Sequence, residues 1–353
     1  MTVGTHTGPR IRVTGAAGMS AHAVLSAPRR RARVLAAFPA AVYLQTVSPA
    51  DVSPRAAPPR AASPGTDSPP GEMAGSRPAV VAVITGAATL LPNAVLIAGA
   101  LPEAEVGDEA WVGGGAVEVG GWRVRVSRWW DPGPPLPRVA PQALPAVLPG
   151  LPAGGLAGNP ALVRLAEATR TLADVECAAE GLVGLGPGLT PSGDDVLAGL
   201  LVALRALGTA AGVSRAVPLA DRLATAVVRA AATRTTAISA ALLDCAARGD
   251  TCPEVTAVLR ALTGHGRLGP ALTALCRLGH TSGADLAQGL SIGLASVHAL
   301  AETSAHAQAE TLADVQAETL ADVQAGATVH TPAGAPAHAR AGANRHASAG
   351  GGR

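Results

Sequence analysis

The run "DPGPPLPRVAPQALPAVLPGLP", Asp131 to Pro152, divides the chain. Its prolines lack an N–H and fix φ, so neither a helix nor a strand ladder continues through it. The residues on its two sides follow different periods.

Upstream, "GAVEVGGWRVRVSRWW", Gly115 to Trp130, alternates around Gly120 and Gly121. That pattern predicts a hairpin with Trp122, Val124 and Val126 on one face and Arg123 and Arg125 on the other. The β-branched runs "AVVAVIT" (79–85) and "NAVLIAGAL" (93–101) predict two more strands, and "RRRARVLAAFPAAVYL" a strand or short helix with a basic flank. Downstream of about Asn159, Val196, Leu197, Leu200, Leu201, Leu204 and Leu207 form an apolar stripe at helical spacing. A second stripe runs through Leu219, Leu223, Val227, Ile238, Leu242 and Leu243, and a third through Leu286, Leu290, Leu294 and Val297. The expected fold class is α+β: a β-rich domain over 1–150, then an all-helical domain over 151–305. Two segments should be disordered. One is the Pro/Ser-rich insert 48–78, and the other lies within the extension 306–353, where tandem octads ending in "AETLADVQ" give way to an Ala/Gly/His/Arg tail.

Composition excludes several functions. All 27 basic residues are arginine, so lysine bases, Schiff bases and a lysine-bearing Walker loop are ruled out. A net charge of +2 selects no nucleic acid. No apolar run reaches the roughly 20 residues of a membrane span, so a cytoplasmic location without membrane contact is expected. Cys177, Cys245, Cys252 and Cys276 lack metal or disulfide spacing and read as reduced, mostly buried thiols. No metal and no cofactor is expected.

The candidate site begins at "GLGPGLTPSGDD", Gly184 to Asp195. Ser192 at an N-cap with Asp195 three residues on would make a capping box. Capping leaves Gly184, Gly186 and Gly188 unexplained, since three glycines in five residues suggest positive φ or a close approach to a ligand. Gly193 and Asp194 complete the block. An echo follows ninety residues later, where "SGADLAQGL" (282–290) repeats "SGDDVLAGL" (192–200) at Ser, Gly, Asp, Gly and Leu. If the two helices pack together, Thr190, Ser192, Thr281, Ser282 and Asp285 meet at two helix N-termini, whose free N–H groups suit an anion. Asp194 and Asp195 could alternatively hold magnesium in a small-molecule phosphotransferase, or the chain could be a non-catalytic anion-binding or scaffold subunit.

These blocks, "GLGPGLTPSGDDVLAG", "TTAISAALLDCAARGD" (235–250) and "LGHTSGADLAQGL" (278–290), resemble the family that includes the AllH-type subunit of oxamate carbamoyltransferase. The resemblance covers about Ala161 to Leu300 and is most specific in the first block. It implies a subunit of a hetero-oligomeric enzyme that exchanges a carbamoyl group between carbamoyl phosphate and oxamate, forming oxalurate, in purine or allantoin breakdown. Within that implication, Thr235, Thr236 and Ser239 are candidate hydroxyl donors. Arg234 is a candidate cation for carboxylate or phosphate, and His280 a candidate donor or base, with His265 as a flexible-loop alternative.

Overall fold

The computed structural model describes residues 11–47 and 78–327, with side chains to Leu320. The insert, apart from Pro78, and the tail beyond 327 lie outside the described residues, and so do the expectations of disorder made for them.

The β region closes into a barrel. Its strands are β1 (Ile11–Gly18), β2 (Arg30–Phe38), β3 (Ala41–Thr46), β4 (Val80–Ile84), β5 (Ala94–Ile97), β6 (Glu109–Gly113), β7 (Ala116–Val119) and β8 (Trp122–Trp130). Their order round the barrel is β1-β5-β4-β3-β2-β6-β7-β8. Most neighbours are antiparallel, but β1 pairs with β8 and β4 with β5 in parallel. The hairpin read from Gly115–Trp130 forms as expected, with Val119 opposite Trp122. Gly120 and Gly121 both take positive φ (55° and 75°), as a two-residue turn that follows the strand twist requires. Val124 is buried with Trp122 and Val126 packed around it, while Arg123 and Arg125 are exposed. Inside, Leu44, Val81, Val83, Val95, Val112 and Val117 fill the barrel.

A short helix α1 (His22–Ser26) follows β1. After the proline-rich run come α2 (Pro160–Thr171), α3 (Val175–Glu180), α4 (Ser192–Ala210), α5 (Ala216–Arg234), α6 (Ala237–Arg248), α7 (Pro253–Leu262), α8 (Leu268–Leu275) and α9 (Ser282–Ala327). The α4 stripe from Val196 to Leu207 is fully buried at the centre of the helical core. The stripe expected to continue from Leu219 to Leu243 is broken. Thr235 is extended (φ −135°, ψ 179°), and Thr236 caps a new helix by accepting from the Ser239 N–H at 3.0 Å. A hydroxyl that satisfies a first-turn N–H makes this break stable. Along α9, Leu290, Leu294 and Val297 are buried and Leu286 half-buried.

The described residues up to Glu302 form one compact unit and those from Thr303 onward a second, which is helical with Leu312, Val315 and Leu320 exposed. In the first unit, Ala36 and Val80 of the barrel bury with Ile238 of α6. The Ser20 hydroxyl donates to Asp250 at 2.7 Å, and the Thr251 N–H to the Pro132 carbonyl at 3.1 Å. Cys245 and Cys252 are buried as expected, Cys276 half-buried, and Cys177 exposed. No helix among the described residues is long and apolar enough to cross a membrane.

Candidate functional site

The repeated motif is a packing device first. The second glycine of each copy sits where the two helices cross. A Cβ on Gly199 would lie 2.2 Å from the Leu286 carbonyl oxygen, and one on Gly289 would lie 2.0 Å from that of Val196. Val196 and Leu286 occupy the same place in the two copies, so the contact is reciprocal. Glycine lets the backbones of α4 and α9 touch. The first glycines seat each helix start on the preceding chain, Gly193 on the Leu182 carbonyl and Gly283 on that of Leu275.

This crossing brings the two helix starts together. The Thr190 and Ser282 hydroxyls lie 3.0 Å apart. The expected capping box is absent: Pro191 is the N-cap of α4, Ser192 is already helical, and no side chain caps this end. The Asp194 and Asp195 N–H groups bond to the Pro191 carbonyl instead, at 2.9 and 3.2 Å.

Asp194, 1 % exposed, anchors the loop. It accepts from the Gly184 N–H at 2.8 Å, from the Ser239 hydroxyl at 2.6 Å and from the Thr235 hydroxyl. The Thr236 hydroxyl, besides capping α6, donates to the Leu189 carbonyl at 2.5 Å. Thr235, Thr236 and Ser239 therefore converge on the signature loop through its aspartate and its backbone. Gly184 (φ 76°) packs so tightly on the Arg234 carbonyl that a Cβ there would lie 1.9 Å from its oxygen.

Asp195 and Asp285 are different. Asp195 is buried, and burial pushes its carboxyl up to about 7, aided by the charges of Asp285 and Asp194 and opposed by the Ser282 and Thr190 hydroxyls. Asp285, fully buried, accepts the Gly155 N–H at 2.8 Å. The Oδ2 atoms of both aspartates and Oε1 of Gln288 are buried without hydrogen-bond partners. A buried, orphaned oxygen on Asp195 favours the protonated form of that carboxyl.

The outer part of the loop is open. Gly186 and Gly188, with φ of 112° and 98°, are exposed, and a Cβ at Gly188 would meet nothing within 4 Å. The N–H groups of Gly186, Gly188, Leu189 and Thr190 take no hydrogen-bond partner among the described residues. Arg234 and His280 are exposed, and Thr281 is half-buried beside Ser282. His265 sits apart, its ring nitrogen on the Thr263 carbonyl at 2.9 Å. Among the described residues no three His, Cys, Asp or Glu side chains are grouped as metal ligands.

One part of the site escaped the sequence reading. The pair Gly154-Gly155 lies against Asp285, Gln288 and Ser192, with Cβ positions 2.4 Å from Asp285 Oδ1 and 2.2 Å from Ser192 Oγ. The only signal was a glycine pair shortly before the α2 cap, where Asn159 accepts the Ala161 N–H at 2.9 Å.

Residues 182–294 match the family described as oxamate carbamoyltransferase subunit AllH. The match begins at the start of the signature block and takes in both helix starts and the Thr235–Ser239 clamp, so the family resemblance carried by those motifs holds over this stretch. No curated protein and no solved structure matches the chain.

Proposed function

We propose that the chain is a carbamoyltransferase subunit that works with partner subunits and holds carbamoyl phosphate at the open loop from Gly186 to Thr190. The observation that carries this reading is the set of unpaired N–H groups on that loop, within the stretch of the family match. Backbone donors at fixed positions suit phosphate oxygens and need no lysine, which this chain lacks.

Three carboxyl groups beneath an anion site would ordinarily repel the ligand. Here Asp194 is saturated by three donors, Asp285 takes the Gly155 N–H, and Asp195 holds its proton up to about pH 7. The residual negative field is correspondingly reduced. In the transfer, the acceptor nitrogen of oxamate attacks the carbamoyl carbon, the bond from that carbon to the phosphate oxygen breaks, and nitrogen loses a proton. Phosphate leaves with both electrons of the broken bond, and the reverse reaction starts from oxalurate. Loop N–H groups would stabilise the departing charge. In this reading exposed Arg234 meets the acceptor carboxylate and His280 accepts the proton or donates to the carbamoyl oxygen.

Calorimetric titration of carbamoyl phosphate into wild type and Gly188→Val tests the cradle. The β-branched side chain resists φ near 98° and fills open space at the loop rim. Affinity is expected to fall at least about tenfold, equivalent to about 1.4 kcal/mol, with the circular dichroism spectrum retained. Equal affinity in both proteins would remove the loop from the binding site.

A further inference from the structure

A second cleft lies between the barrel and α6. It has a volume of about 790 Å³ and is bounded on the barrel side by Ser20, Gln45 and Asn93, on the helical side by Asp244, Arg248 and Asp250. Alanines of α5 and α6, among them Ala231, Ala237 and Ala240, line it between these groups. Their short side chains leave room for an alkyl chain.

The chemistry of the wall is one-sided. Arg248 is the one cation among the described residues lining the cleft, and its nitrogens are engaged: Nη1 meets Asp244 at 2.5 Å, Nε meets Asp250 at 3.5 Å and Nη2 faces the Cys245 sulfur at 3.6 Å. Asp250 Oδ2 also accepts the Ser20 hydroxyl. Two carboxylates against one guanidinium leave the described lining with surplus negative charge. Burial pushes the Cys245 thiol up to about 12, so it adds neither charge nor a nucleophile.

Asn93 adds an independent observation. It is 4 % exposed, its Nδ2 donates to the Val80 carbonyl at 3.1 Å, and its Oδ1 is buried without a partner. The bond to Val80 fixes which end of the amide is the acceptor. Asn93 is among the residues lining the cleft, and a buried acceptor without a partner is met by a ligand's donor or by water.

We propose that this cleft binds a small organic cation, an alkyl amine or alkyl guanidine, whose charged N–H donors meet Asp244 and Asn93 while its chain lies along the alanines. Among the described residues the lining offers an anion no free cation, so this site is chemically opposite to the loop at Gly186–Thr190. It does not rest on the transfer reading.

The probe is agmatine, which carries a guanidinium and an amine on one alkyl chain, titrated calorimetrically into the full chain, with citrate as the anionic comparator. Binding at one site is expected, weakened at least about tenfold by Asp244→Asn and by Asn93→Leu and unchanged by Gly188→Val. Asp244 is half exposed, so its variant keeps the test usable if Asn93→Leu does not fold. No agmatine binding at millimolar concentration, equal affinity in Asp244→Asn, or tighter binding of citrate than of agmatine would each overturn the proposal. Loss of carbamoyl phosphate binding in Gly188→Val with agmatine binding intact would leave the two sites independent.

Discussion

At the scale of single residues, the two adjacent aspartates of the signature block have opposite fates. Asp194 is surrounded by donors and serves as the anchor of the loop, whereas Asp195 is buried with an orphaned oxygen. The sequence "DD" gives no hint of this difference, because it depends on Thr235 and Ser239, more than forty residues away, reaching one carboxyl and not the other. The difference has a measurable sign. The native Asp195 carboxyl keeps its proton up to about pH 7, whereas the unfolded chain releases it near about pH 4. Between those values the native state binds more protons, so this residue lowers stability as pH rises and its effect levels off above about 7. Asp195→Asn is expected to flatten that slope in denaturant titrations run from about pH 4 to about 8, and to be more stable than wild type at the upper end. A variant that follows the wild-type slope at every pH would show that the carboxyl is ionised throughout.

At the scale of elements, the helix stripes and the strand alternation were readable because burial on one face imposes a period on the chain. The break between α5 and α6 was not. Leu219 to Val227 and Ile238 to Leu243 keep apolar residues at helical spacing on both sides, and the interruption depends on the Thr235 and Thr236 hydroxyls finding partners in a distant loop. The repeat at Ser192 and Ser282 was the most informative signal for the site, since it foretold that two helix starts converge. Its glycines, however, act mainly through the α4–α9 crossing. Gly199→Ala and Gly289→Ala each place a methyl carbon 2.2 or 2.0 Å from a carbonyl oxygen of the other helix. Backbone is a poor thing to displace, so each is expected to cost on the order of 1–3 kcal/mol in chemical denaturation. Because both act on one crossing, the double variant should depart from additivity by at least about 0.5 kcal/mol. Additive costs would mean that the helices move apart independently at the two points. A Cβ accommodated at either position without loss of stability would show that the crossing is looser than these distances require.

For the whole molecule, the α+β division was legible and the barrel closure was not. Closure needs the parallel pairings of β1 with β8 and β4 with β5; the first joins strands more than a hundred residues apart, and neither leaves a trace in local patterning. The proline-rich run at Asp131–Pro152 divides the two regions in the sequence, yet Leu144 and Leu148 within it are buried in the helical core. Ala36 and Val80 pack on Ile238 across the junction, and the Asp250 carboxylate holds Ser20. Such an interface couples the two parts if breaking it exposes enough apolar surface to make either part unstable alone. The four tryptophans, Trp111, Trp122, Trp129 and Trp130, all belong to barrel strands, so fluorescence follows the barrel. Far-ultraviolet circular dichroism follows mainly the helices. One cooperative unit requires the two signals to fall together in a single denaturant transition, with the same midpoint and slope. Ile238→Ala, which removes the α6 side chain from the shared cluster, is then expected to lower both midpoints equally, reflecting a stability loss on the order of 2–4 kcal/mol for a large aliphatic truncation. Two separated transitions in the wild type, or a midpoint shift in the dichroism signal alone for Ile238→Ala, would make the barrel and the helices separate folding units despite the contacts between them.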